Sequence, residues 1–242
     1  MEAHLYEAHE QLEADHWWFE ARRQIIEDTL KRATAERAGL KVLDIGCGTG
    51  GMAPMLSRFG ALEGVEGSPD ALERARRRFP GYVFHAGSLP DGLPEGRWDL
   101  ITAFDVLEHL DQPVATLRQV SGRLEADGAF VCTVPALPLL WSHHDVLNHH
   151  RRRYTATTLR EHLEAGGLRV EWLSYFNSWL FPAVLGARLL GKLRNTQSDS
   201  DLAPVKEPLN GVLKALFASE KHVLKRARFP VGVSLIAITR RA

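Results

Sequence analysis

The chain has 242 residues, of which 45% are apolar and 25% charged, and its formal net charge at neutral pH is zero. That balance describes one large globular domain, or a core domain with an elaborated cap, and supplies no global field that draws the chain to nucleic acid. Two cysteines, Cys47 and Cys132, exclude a disulfide framework and point to a reduced, cytoplasmic compartment. The acidic opening MEAHLYEAHEQLEADHWWF has no apolar signal core. The longest apolar run, Tyr175 to Leu190, is interrupted by Asn177, Pro182 and Arg188 and is too short to span a bilayer.

In chain order, ADHWWFEARRQIIEDTL (Ala14 to Leu30) predicts a helix rich in aromatic residues. KVLDIGCGTGG (Lys41 to Gly51) reads as a strand, a glycine-rich turn and the opening of a helix. A short strand ending at Glu66 follows, then a helix with Ser68 as N-cap, Pro69 in its first turn and Asp70 at the positive end of its dipole. YVFHAG, WDLITAF and GAFVCTV predict strands and QPVATLRQVSGRL a helix, the alternation of a parallel sheet covered on both faces. Pro135 to Tyr154 reads as a long loop, TATTLREHLEAGG as a helix with a glycine stop, and LRVEWLSYF and VGVSLIAITRR as the last two strands. Between those strands lies an insert from Asn177 to about Pro230. It contains an apolar helical piece (Trp179 to Leu193), a polar link (Arg194 to Glu207) and an amphipathic piece (Leu209 to Arg226).

Gly46, Gly48 and Gly51 satisfy G-x-G-x-x-G, which lets backbone approach a ligand near a helix N-terminus. Glu66 ends the next strand, where an acid accepts from ribose hydroxyls. A dinucleotide site shares both features. Three others separate the readings: Asp44 inside the first strand, FDVLEHL (Phe104 to Leu110) after the fourth, and the order of the final strands around a long excursion. Together these resemble the class I S-adenosylmethionine-dependent methyltransferases, closely over Lys41 to Val134 and loosely beyond. The segments HWWF-x-ARR (His16 to Arg23), LWS-x-HD (Leu140 to Asp145), H-x-RRY (His150 to Tyr154) and P-x-GVSLIA (Pro230 to Ala237) resemble a bacterial subgroup of these enzymes.

The resemblance implies an α/β fold, with a Rossmann-like seven-stranded sheet that is mostly parallel, an antiparallel last strand, helices on both faces and a helical cap. It divides the chain into an N-terminal helical lid (1–40), a methyltransferase core (41–176 and 230–242) and an insert (177–229). The cofactor it implies is S-adenosyl-L-methionine. Asp44, Gly46, Cys47, Gly48 and Gly50 would line its methionine part, Glu66 would hold the ribose, and Gly67, Ser88 and Leu89 would lie by the adenine. Ser88 stands where many relatives carry an acid. Phe104, Asp105 and Val106 would flank the cofactor at the end of the fourth strand. In the N-terminal helix, Trp17, Trp18 and Phe19 supply rigid apolar area, and Arg22 and Arg23 are candidates for the cofactor carboxylate, against the alternative that this helix simply docks on the sheet.

LWSHHDVLNHHRRRY (Leu140 to Tyr154) crowds four histidines and three arginines around Asp145. Four readings are open: a metal site using His144 or Asp145 with His149, a histidine base oriented by Asp145, an anion clamp using Arg152 and Arg153, or a structural clasp. His144 and His150 are the catalytic candidates, Asp145 and Arg153 their supports, and no metal is assigned. The expected activity is methyl transfer to a small-molecule acceptor, a hydroxyl, with a nitrogen on an amino sugar or cofactor binding without turnover as alternatives. The apolar insert, flanked by lysine and arginine, adds a lipid-like acceptor or peripheral membrane contact to these expectations. The oligomeric state is not legible.

Overall fold

The computed structural model describes residues 16–194 and 205–242. Its elements are α1 (Trp17–Ala33), β1 (Leu40–Ile45), α2 (Ala53–Leu56), β2 (Gly60–Glu66), α3 (Pro69–Arg78), β3 (Val83–Ala86), β4 (Trp98–Phe104), α4 (Pro113–Arg123) and β5 (Leu124–Pro135). Then follow α5 (His143–Leu147), α6 (Ala156–Ala165), β6 (Leu168–Phe176), α7 (Phe181–Arg194), α8 (Leu209–Ala218), α9 (Glu220–Leu224) and β7 (Ser234–Arg241). The seven strands form one sheet in the order β3-β2-β1-β4-β5-β7-β6. All neighbours are parallel except β7, which runs antiparallel to both β5 and β6.

Alternation along the strands divides the core. Val42, Leu100, Val131 and Ile236 face one layer with Ile25, Ile26 and Leu30 of α1, Leu72 of α3 and Phe217 of α8. Leu43, Ile101, Phe130 and Leu235 face the other, with Leu117 of α4 and Leu159 and Leu163 of α6. Helix α1 thus buries an apolar stripe against the sheet and against α8, rather than standing off it. Burial of these side chains stabilises the fold by roughly 1.5–3 kcal/mol for each large residue.

Chain order reverses between β1, which runs outward through β2 and β3, and β4, which runs the other way through β5. Such a reversal opens a crevice at the carboxyl ends of the strands, and it is there that α/β sheets take ligands.

The helix expected to open after the glycine turn is present, and two other local expectations are corrected. That helix is the four-residue α2. It is cut short because β2 must begin at Gly60, whose φ is +157° and where a Cβ would lie 1.9 Å from the Leu40 carbonyl oxygen. A helix that short gives no strong N-terminal anion site, so the glycine turn must act through its own backbone. The segment from Pro135 to Tyr154 is not an irregular loop. It contains a 3-10 turn, Pro138–Leu140, and helix α5, whose start is set by Ser142 donating its backbone N–H to Asp145. The amphipathic piece of the insert is two helices, α8 and α9, separated by Ser219. Most of the polar link expected before it lies outside the described residues.

Candidate active site

Register places Asp44 of β1 beside Thr102 of β4. The Thr102 hydroxyl donates to Asp44 Oδ1 at 2.7 Å, and the carboxyl is 5% exposed. Burial, reinforced by the negative charge of Glu66 and opposed by the threonine bond, pushes the Asp44 pKa up to about 7. Burial in the same environment also raises the thiol of Cys47 well above its ordinary value, so it is a poor nucleophile.

The turn itself depends on glycine. Gly46, Gly48 and Gly50 adopt φ of +65°, +56° and +82°. A Cβ on Gly46 would meet Val106 Cγ2 at 2.6 Å, whereas one on Gly48 would project into open space. The first glycine therefore lets the end of β4 pack on the turn, and Gly48 leaves room for a ligand. Glu66 ties the turn to the next helix, since Oε2 accepts from Gly48 N at 2.9 Å and Oε1 from Ser68 N at 2.7 Å. Each oxygen keeps a further lone pair for a hydroxyl donor. Gly67 and Ser88 are exposed and adjacent, Leu89 is half-buried, and Phe104 packs on the layer that holds α1. These residues and spaces leave room for a ligand beside the turn, with Glu66 able to accept from its hydroxyl groups.

From the N-terminal helix, Arg22 reaches this edge and is spent there. Its Nη2 donates to Asp105 Oδ2 and to Thr133 Oγ1, both at 2.6 Å, and its guanidinium lies 5.1 Å from the centroid of the Trp18 ring. Arg23, the next residue of α1, is half-buried. Trp17 and Phe19 pack within the aromatic group of α1, Trp17 edge-on to Phe217 and Phe19 edge-on to Trp18.

The histidine segment is clasped to the turn after β4. Arg151 donates its backbone N–H to Glu108 O and its Nε to His109 O, Arg152 donates to Leu110 O, and the buried Tyr154 hydroxyl donates to Leu107 O. Arg153 Nε donates to Asp145 Oδ1 at 2.7 Å and its Nη1 to Ala136 O. These arginines are held by backbone and by Asp145, the contacts that a structural clasp requires. Asp145 is fully buried, and although burial opposes ionisation, hydrogen bonds from His150 and Arg153 hold its carboxyl below the usual range. His150 Nδ1 lies 2.9 Å from Asp145 Oδ1, which leaves Nε2 as the lone-pair nitrogen when the imidazole is neutral. His144 bonds Asn148 and meets the His150 ring edge-on, whereas His149 is exposed. Among the described residues the donors that converge are therefore Glu108, His109 and His150, not His144, Asp145 and His149.

The sequence reading missed Thr102, Thr133 and Glu108. Glu108 sits in an apolar-flanked turn, and only the fold reveals that its carboxyl is buried. His109 lies in a turn outside any helix, its N–H donating to Val106 O. Burial lowers its pKa to about 4, with the neighbouring His150 adding to the effect.

A family model described as a methyltransferase domain matches residues 17–173, more than half of the chain. The chain belongs to this methyltransferase family. Among curated methyltransferases it is 32% identical over 108 residues to a mitochondrial ubiquinone biosynthesis O-methyltransferase of Candida albicans, covering 40% of this chain and 33% of that one. It is 33% identical over 101 residues to a trans-aconitate 2-methyltransferase of Methylobacterium nodulans, covering 40% of this chain and 39% of that one. The match thus spans well under half the length of these curated methyltransferases. Among solved methyltransferases, an S-adenosylmethionine-dependent enzyme of Clostridium acetobutylicum superposes with a TM-score of 0.60 at 13% identity, covering 99% of this chain and 97% of that one. The fold is that of a class I methyltransferase, and S-adenosylmethionine is the cofactor that this family and fold imply.

Proposed function

We propose that the chain transfers a methyl group from S-adenosylmethionine to the hydroxyl of a small molecule, and that it stands in the bacterial subgroup its HWWF, LWSxHD and HxRRY segments resemble. The observation that carries this reading is the pairing of two features at one end of the sheet. A glycine turn is bridged by Glu66 to the start of α3, and the His150–Asp145 pair is clasped to the turn that follows β4.

The sulfonium supplies a neutral leaving group, so the displacement needs alignment and exclusion of water more than acid catalysis. Asp44, Gly46, Cys47, Gly48 and Gly50 hold the methionine part, Glu66 the ribose, Gly67, Ser88 and Leu89 the adenine edge, and Phe104, Asp105 and Val106 the reacting side. Trp18 and Arg22 brace that side through Asp105. A hydroxyl must lose its proton as it attacks, and His150, its tautomer fixed by Asp145, accepts it. Arg153 keeps Asp145 ionised for this task. His144 abuts His150 from the side and shapes the acceptor's approach.

The acceptor is lipid-like or lipid-linked, and the insert touches a membrane surface. Supporting this, Leu209, Val212 and Leu216 of α8 and Leu189 and Leu190 of α7 are exposed. No helix among the described residues is long and apolar enough to cross a membrane.

The test is transfer from a methyl-labelled cofactor to a bacterial extract split into lipid and aqueous fractions, with Glu66→Ala as the blank. Label in a lipid-fraction product that survives alkali is the expected result for an ether. Alkali-labile label would mean a carboxyl acceptor, cationic label a nitrogen acceptor, and no label from any extract a domain that binds cofactor without turnover.

A further inference from the structure

Glu108 poses a problem that methyl transfer does not solve. Its side chain is fully buried, and apart from its own backbone amide neither carboxylate oxygen meets a hydrogen-bond donor. A buried carboxyl either takes up a proton, the direction in which burial and the charge of Asp105 push Glu108, or it pairs with a cation or coordinates a metal; protonated or not, its oxygens here lack side-chain partners. Arg22 and Arg153 are the nearby cations, but the hydrogen bonds of Arg22 go to Asp105 and Thr133, and those of Arg153 to Asp145 and Ala136.

Two histidines face the same point. One ligand atom each from Glu108, His109 and His150 lies within 4.8 Å of the others, and the His109 and His150 rings meet edge-on with centroids 4.8 Å apart. Each ring is already held by an outer partner. His150 is bonded through Nδ1 to the buried Asp145 carboxylate, and His109 to the backbone of His149. Metal-ligating histidines show this arrangement, with one nitrogen bonded to a carboxylate or carbonyl and the other left for the ion.

We infer that Glu108, His109 and His150 bind one divalent transition-metal ion of the zinc class. Two imidazoles and a carboxylate are the ligand set of open zinc sites, in which a fourth position stays available to water or substrate. Around a tetrahedral ion with ~2.0 Å bonds the donors sit about 3.3 Å apart, so binding draws the three side chains slightly inward. Asp145, with Arg153 behind it, serves as a positioning group that sets the His150 tautomer. For its chemical consequence the inference rests on the methyl-transfer reading. An acceptor oxygen in the fourth position is polarised by the ion and loses its proton more readily, to solvent or buffer while His150 is bound to the ion, and to His150 itself when the ion is absent.

The experiment uses the full chain stripped of metal by a chelator and then dialysed free of it. Zn2+ is titrated by calorimetry, and thermal unfolding is followed with and without the ion. One Zn2+ per chain and a raised melting temperature are expected. Glu108→Gln, His109→Asn and His150→Asn, made separately, each weaken Zn2+ binding at least ~10-fold, and Asp145→Asn weakens it about 10–100-fold. His222→Ala, which removes an exposed histidine of α9, leaves it unchanged. No stoichiometric binding by the parent chain, or equal binding by every variant, overturns the inference. S-adenosylmethionine affinity measured on the same samples reports folding and keeps the two readings apart. Cofactor binding and turnover without Zn2+ binding sink the metal site alone, whereas Zn2+ binding without cofactor binding sinks the methyl-transfer reading.

Discussion

Arg22 of the N-terminal helix donates to the carboxylate of Asp105, just past the end of β4, at 2.6 Å. The same guanidinium nitrogen also donates to Thr133 on β5, so one side chain fastens α1 across two neighbouring strands. Arg22→Ala strands Asp105 and Thr133 with each other alone. Because the Asp105 side chain is 35% exposed and screened by solvent, the expected loss is about 2 kcal/mol in chemical denaturation. An unchanged midpoint would show that α1 is held by its apolar stripe and its contacts with α8 and α9, without help from Arg22.

Asp44 makes stability depend on pH in an unusual direction. Its pKa rises from 3.8 to about 7 on folding, so the folded state favours the neutral acid. The contribution is fully present below pH 3.8 and is lost as pH climbs through about 7, on the order of 4 kcal/mol in total. Asn cannot ionise yet still accepts from Thr102. The difference between the parent and Asp44→Asn denaturation curves should therefore widen from pH 4 to pH 8, in favour of the variant at the higher pH. Parallel curves would refute the assignment, and other titrating groups cancel in the comparison.

Glu66 is expected to govern cofactor affinity. Glu66→Ala removes the acceptor for ribose and frees the backbone amides of Gly48 and Ser68, which weakens S-adenosylmethionine binding about 30–100-fold by calorimetry. Glu66→Gln keeps one acceptor oxygen and falls between the two. Affinity unaltered in both would remove Glu66 from the site.

Turnover should separate the two histidine candidates. His150→Ala lowers kcat ~10²–10⁴-fold with little change in cofactor affinity, whereas His144→Ala, which removes the ring beside His150 and its bond to Asn148, costs less. Equal losses in both would mean that the Asp145 contact does not set the role.

Membrane contact has its own readout. Flotation with anionic vesicles should recover the parent chain and fail for a variant with Leu209, Val212 and Leu216 all changed to Ser. Recovery of both proteins to the same extent would leave the exposed face of α8 without that role.

Much of the sheet was readable because strands betray themselves locally. LRVEWLSYF is strand β6 residue for residue, and Ser68 caps α3 as its position before Pro69 implied. The glycine turn was legible for the same reason, since a left-handed φ demands glycine wherever it falls. Other features depend on what lies far away in sequence. Nothing in GGMAPMLSRFG announces that Gly60 must pass against Leu40, so where α2 ends is not legible in the sequence. The fate of Glu108 depends on a clasp formed by residues some forty positions later, and a lone acid in a turn gives no local sign of burial. Histidine count misled in the same way, drawing attention to His149, which is exposed, and away from His109, which faces His150.

The insert leaves and rejoins the sheet through Phe176 and Ser234, which are direct cross-strand partners in the β6–β7 pair. Its entrance is also closed by Glu220, which accepts from Ser178 N and Trp179 N. The fifty or so residues between are thus a balloon tied at a narrow neck. Length and sequence far from the neck can drift without shifting any strand by a residue, whereas the inner wall, where Phe217 packs against Trp17, is fixed to the body. Evolution can redraw the outer surface of such an appendage freely and so retarget one chemistry to new acceptors, with the cofactor cradle left as it was.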